Sequence, residues 1–123
     1  MTSLELTGVI ARILDSKKAQ DIEAINIRDL TIIADYFIIA SGTSTTQVKA
    51  LVDEVEFKLK TEHNITPSRV EGYRSSSWIL ADYGSVVVHV FLREAREFYS
   101  LERLWTDGEH LVIDDLLTPQ GES

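Results

Sequence analysis

The chain has 123 residues, with 12 Lys or Arg against 20 Asp or Glu, a formal net charge of −8, no Cys and one Met. That length gives one compact domain able to bury about two thirds of its unfolded surface without staples. The lack of cysteine excludes disulfides, thiolate metal sites and a nucleophilic thiol, and the charge argues against direct DNA or RNA binding while suiting a basic protein partner.

The first element follows from spacing. Leu6, Val9, Ile10, Ile13 and Leu14 recur at helical intervals, so a helix is expected over about 3–17, capped by Thr2 or Ser3. Asp21 to Ile27 reads as a short strand with polar edges. The next run, Tyr36 to Ala40, is apolar without alternation, as in a strand covered on both faces near the centre of a sheet. After Ser41-Gly42-Thr43-Ser44 the helical period returns at Val48, Leu51, Val52, Val55 and Leu59. Ser44 with Gln47 three residues on fits a capping box, so the second helix is expected from about Thr45 to Thr61. His63-Asn64-Ile65-Thr66-Pro67 breaks it.

Three β segments follow: Ser68 to Glu71, Trp78 to Asp82 and Val86 to Leu92. Tyr83-Gly84-Ser85 is short enough to force the last two into an antiparallel hairpin. A third helix is expected from about Glu94 to Trp105, with Ala95, Phe98, Leu101 and Trp105 on one stripe. The passage from Tyr36 to about Glu71 is long enough for a right-handed parallel crossover. The expected fold is therefore α/β, a mixed five-stranded sheet packed by helices.

Charge is uneven along this order. Residues 1–60 carry a net of −2 and residues 61–123 a net of −6. The stretch 107–123 holds Asp107, Glu109, Asp114, Asp115 and Glu122 with no Lys or Arg, an acidic C-terminal tail that either faces water or adds to electrostatic steering. No run approaches the ~20 consecutive apolar residues of a membrane span, and the N-terminus lacks a charged segment followed by a long apolar run. The expected location is the cytoplasm, or an organelle matrix if a targeting segment has been lost.

Each enzyme-like feature has a plainer reading. The Gly42 to Ser44 loop, between a buried strand and a helix, has the place of an anion site, but it lacks the Lys and further glycines of a phosphate loop, and capping explains the same residues. Nucleotidyl transfer needs two or three carboxylates on adjacent strand positions to hold divalent metals. Here Asp82 stands alone on its strand and Asp35 has no second acid nearby. His63, His89 and His110 sit on different elements without metal-ligand spacing, and His89 among valines reads as a hydrogen-bonded structural residue. No catalytic residue, metal or cofactor is expected.

The informative cluster is Glu71-Gly72-Tyr73-Arg74, Trp78, Asp82-Tyr83-Gly84, and Phe98-Tyr99 with Leu101 and Trp105. Aromatics in a small domain are commonly core. Yet Trp78 begins a strand and Tyr83 lies in a tight turn, where burial is hard to complete. Rings beside carboxylates make a protein-binding patch, with Trp78 and Tyr83 as anchors and Glu71 and Asp82 setting charge complementarity.

Several of these blocks together resemble the Iojap family of ribosomal silencing factors, RsfS. They are Asp35 to Ile39 with Ser41 to Ser44, Glu71-Gly72, Trp78 to Gly84, Val87 to Phe91, and Arg96 to Trp105. The resemblance spans about residues 5–106, a domain of 1–106, and leaves the tail outside. It implies a nucleotidyltransferase-like fold that has lost its catalytic carboxylates. It also implies a non-enzymatic function: binding ribosomal protein number fourteen of the large subunit, blocking small-subunit joining and lowering translation when nutrients are scarce. A homodimer off the ribosome is implied as well. The competing reading is a nucleotidyl or phosphoryl transferase built on the Gly42 to Ser44 loop.

Overall fold

The structure is a computed structural model and describes residues 1–104 and 106–118. Helix α1, Ser3–Ser16, begins where Thr2 accepts from the Glu5 N–H at 3.1 Å while the Glu5 carboxylate accepts from the Thr2 N–H at 2.8 Å. This reciprocal cap satisfies two otherwise orphaned donors and holds the Glu5 carboxyl below its ordinary range. Strand β1, Gln20–Asn26, leads to β2, Tyr36–Gly42, all of whose residues are buried. Helix α2, Thr45–His63, buries the five residues that the period selected: Val48, Leu51, Val52, Val55 and Leu59. It stops at Asn64, whose left-handed conformation (φ 55°) turns its N–H back to the Leu59 and Lys60 carbonyls.

Strands β3, Arg69–Glu71, β4, Trp78–Asp82, and β5, Val86–Leu92, then form an antiparallel meander. The third helix is not continuous: α3, Arg93–Tyr99, ends at Ser100 in the left-handed region (φ 48°, ψ 47°), and α4, Leu101–Leu104, restarts beyond it. Ser100 donates its N–H to the Arg96 carbonyl and its hydroxyl to the Glu97 carbonyl, at 2.8 and 2.7 Å, which terminates α3 without a glycine. Trp105 and the side chains of Phe98 and Tyr99 lie outside the described residues.

The sheet has six strands where five were expected, in the order β3-β4-β5-β2-β1-β6. The sixth, β6, is only Glu109–His110, paired with Ile25 and Asn26 of β1, too short to leave a periodic signal. The parallel partner that the crossover from β2 reaches is β5 (Tyr36 opposite Val86, Gly42 opposite Leu92), not β3, which is carried out to the sheet edge. Within the stretch 107–123, helix α5, Ile113–Leu117, lays Leu116 against the core beside α1, and Arg12 donates to the Leu116 carbonyl at 3.0 Å. Asp107, Glu109, Asp114 and Asp115 of that stretch stay exposed.

Alternation along the strands makes two cores. One lies between the sheet and α1, α2 and α5, and holds Ile10, Leu14, Ile38, Val88, Val90, Leu51 and Val55. The other, on the opposite face, holds Ile25, Ile27, Phe37, Ile39, Val87, Phe91 and Leu101, with α3 packed over β5 and β2. No helix among the described residues is long and apolar enough to cross a membrane.

Candidate functional site

Register places the predicted residues. Arg69 lies opposite Asp82 and Glu71 opposite Leu80, while Trp78, Leu80 and Asp82 face Phe91, His89 and Val87 across the next ladder. Because side chains alternate, Arg69, Glu71, Trp78, Leu80 and Asp82 share one face with His89 and the second core. Where α3 covers β5 and β2 that face is sealed; toward β4 and β3 it becomes accessible, with Trp78, Leu80 and Asp82 half-buried and Arg69 and Glu71 exposed. The result is an aromatic and aliphatic surface with acids along its outer rim.

Arg69 was not singled out by sequence, and it organises that rim. Its guanidinium lies 3.1 Å from the Glu71 carboxylate and 3.4 Å from that of Asp82. Two carboxylates on one arginine leave a net negative charge toward solvent. A period of two would have put 69 and 71 on one side, but the pairing with Asp82 needed the register. The other Asp82 oxygen accepts the Gly84 N–H at 2.8 Å and fixes the hairpin turn, where Gly84 takes φ 85°.

Trp78 is oriented from below. Its indole N–H donates to His89 Nδ1 at 3.1 Å, and its ring stacks on Phe91 with centroids 4.9 Å apart. His89 also meets the Phe37 ring edge-on at 4.7 Å. Accepting at Nδ1 leaves the proton on Nε2, which is buried without a hydrogen-bond partner among the described residues, and burial pushes the imidazole down to about 4. His89 is thus the hydrogen-bonded structural residue that its valine neighbours suggested. Gly72 closes the loop before β4: at φ 85° a Cβ there would collide with the Trp78 carbonyl oxygen.

Tyr83 parts company with the other three predicted residues. It follows Asp82 on the alternate face and packs against the first core, its hydroxyl buried without a hydrogen-bond partner among the described residues. Burial, then the Glu56 carboxylate, push its phenol well above the usual range. The tight turn was expected to leave burial of this ring incomplete, and Tyr83 is half-buried as Trp78 is, but on the opposite face, toward α2. The structure brings together Glu71, Trp78 and Asp82 and places Tyr83 behind them.

In the loop that has the place of an anion site, capping engages the Thr43 N–H and hydroxyl and the Gln47 N–H. Ser44 accepts the Gln47 N–H at 3.1 Å, and the Gln47 amide oxygen accepts the Thr43 N–H and hydroxyl at 2.6 and 2.9 Å. Gln47 therefore reaches one residue further back than a capping box requires. Beside it, Ser41 accepts from Arg96, which also donates to the Asp21 carbonyl and pairs with Glu23 at 3.2 Å. This cluster pins α3 to β1 and β2. Among the described residues no group of three or more His, Cys, Asp or Glu could hold a metal ion. A groove of about 640 Å³ between α1 and α5, lined in part by Met1, Leu4, Val9 and Val112, contains none of the predicted residues.

These features define a mixed α/β domain presenting an acid-rimmed aromatic sheet face. The same fold is found in the crystal structure of a protein from Chromobacterium violaceum, 38% identical, with a TM-score of 0.83 over 86% of this chain and 88% of that one. The chain matches the family described as "Ribosomal silencing factor during starvation" over residues 1–123. It is 37% identical to the ribosomal silencing factor RsfS of Halalkalibacterium halodurans, covering 96% of this chain and 100% of that protein. It is 34% identical to the mouse protein named mitochondrial assembly of ribosomal large subunit protein 1, over 80% of this chain and 44% of that protein. The chain belongs to the RsfS family of ribosomal silencing factors.

Proposed function

We propose that this protein binds the large ribosomal subunit through ribosomal protein number fourteen and sterically blocks the small subunit from joining, lowering translation under nutrient limitation. The observation that carries the reading is the half-exposed face of Trp78 and Leu80 rimmed by Glu71 and Asp82, in a chain of net charge −8. Such a face suits a basic protein surface: rings and Leu80 supply burial, and the acids supply steering and repel RNA phosphates. The mouse relative's name, which refers to the ribosomal large subunit, supports the choice of particle. Blocking needs no catalysis, because a domain of this size is roughly 30 Å across and must be accommodated between two closing surfaces.

In the same reading the protein acts in the cytoplasm and forms a homodimer when off the ribosome. Its fold is a nucleotidyltransferase-like one without the catalytic carboxylates; the support is Asp82, committed to Arg69 and Gly84 rather than to a second acid.

The test is sedimentation with isolated ribosomal subunits. The expected result is co-sedimentation with large but not small subunits, lost in Asp82→Arg while its thermal unfolding stays cooperative. Sedimentation with neither subunit at low salt overturns the proposal.

A further inference from the structure

The connection between β1 and β2 carries an apolar tip that the fold does not use. Among the described residues eight large apolar or aromatic side chains are exposed, and three of them, Leu30, Ile32 and Ile33, fall within four consecutive positions. Ile32 is exposed over its whole side chain. Single apolar residues scattered over a surface are ordinary, whereas a contiguous cluster marks a contact.

This tip is held in place. Its ends are buried at Ile27 and Ala34. The Ile27 N–H donates to the Asp35 carbonyl at 2.9 Å, and the Leu30 and Thr31 N–H groups both return to the Ile27 carbonyl at 2.9 and 3.1 Å. The Ile33 N–H donates to the Thr31 hydroxyl at 3.3 Å. A loop engaged in this way loses little further freedom when its tip is bound.

Its position continues the face already described. The Asp35 and Tyr36 N–H groups donate to the Ser85 carbonyl at 2.8 and 3.1 Å, so the root of the loop sits at the end of the sheet where β4 turns into β5, the end at which β4 finishes in Asp82. Ile27 and Ala34 belong to the same core as Val87 and Phe91, beneath the Trp78 face. Two strand spacings, about 10 Å, separate β2 from β4. Asp29 and Asp35 flank the tip, and Arg28 is drawn away to the Tyr36 hydroxyl at 3.1 Å.

We infer that Leu30, Ile32 and Ile33 form an apolar knob that enters an apolar recess on the basic ribosomal protein met by the acid-rimmed face. This inference rests on the large-subunit reading above. The flanking acids commit the knob to a basic surface, and its place at the same end of the sheet as Asp82 commits it to the same partner.

The experiment compares wild type, Ile32→Ser, Ile32→Leu and Asp82→Arg for affinity to isolated large subunits, with thermal unfolding and sedimentation velocity of each protein alone. Ile32→Ser is expected to unfold at the wild-type temperature and to bind about tenfold more weakly, with Ile32→Leu near wild type. Wild-type affinity in Ile32→Ser, beside lost binding in Asp82→Arg, overturns the knob and leaves the large-subunit reading standing. Unchanged subunit affinity with loss of a dimer in Ile32→Ser also overturns it and assigns the tip to a second copy of this chain. Absence of binding by wild type removes both proposals together.

Discussion

Against α1, α2 and α5 the sheet presents Tyr36, Ile38, Ala40, Val86, Val88 and Val90, met by the aliphatic side chains of Leu14, Leu51 and Val55. On its other face the rings of Phe37, His89, Phe91 and Trp78 pack together, Trp78 stacked on Phe91 and Phe37 edge-on to His89, and α3 is tied down by a buried arginine with polar partners on β1 and β2. The first arrangement is the economical one for stability, because aliphatic burial has no directional requirement. The second fixes orientations. It keeps the indole in one place and lets half of a sheet face remain accessible without loosening, which is what a contact surface needs.

That contrast can be broken at its strong side first. Leu51→Ala, on the sealed face, is expected to cost about 3–4 kcal/mol in urea denaturation, whereas Leu80→Ala on the accessible face should cost under ~1.5 kcal/mol because water already reaches that side chain. Equal losses would mean that both faces are sealed alike.

His89 gives the next largest effect. Its pKa is lowered from 6.5 to about 4 in the fold, so the unfolded chain binds the extra proton first as pH falls. The stability that it contributes is present above pH 6.5, is lost as pH falls through that window toward 4, and changes no further below. The whole difference is about 3 kcal/mol. It should be read as the gap between wild type and His89→Asn in denaturation at pH 7 and pH 4. Asn keeps an acceptor near the Nδ1 position but does not titrate, and identical pH slopes for the two proteins would refute the assignment.

The smallest effect is at the rim. Arg69→Ala removes two ion pairs whose arginine is 60% exposed, so stability should shift by no more than about 0.5 kcal/mol. Freed of that cation, Glu71 and Asp82 should raise the association rate with large subunits about twofold to fivefold at low salt, an advantage that fades as salt is added. A slower association would show that Arg69 itself touches the partner.

Much of this architecture was legible because it depends on periodicity. An apolar run gave β2, a run interrupted only by His89 gave β5, and the spacing from Val48 to Leu59 gave the five buried positions of α2, which runs two residues past its expected end. What stayed hidden was decided by tertiary pairing. Two residues of β6 are strand only because β1 offers them an edge. Ser100 adopts a left-handed conformation in a sequence that otherwise reads as one helix. At the site, composition selected Glu71, Trp78 and Asp82, but only the register showed that Arg69 binds both acids and that Tyr83 points the other way. Leu30, Ile32 and Ile33 carry no signal of exposure in the sequence, because a short apolar stretch without period resembles the end of a strand.

The pairing of β2 with β5 joins positions 36 and 86, with a helix and two strands threaded between them. Closing such a parallel seam is a late and entropically expensive event in folding. The accessible face is wired differently. Its residues, 69 to 82, lie in consecutive antiparallel strands, each pairing with its neighbour in sequence, so this surface can assemble locally before the seam closes. Substitutions in β3 or β4 should therefore leave the slow step of folding largely untouched, and the accessible face is free to vary in sequence at little kinetic cost to the domain that carries it.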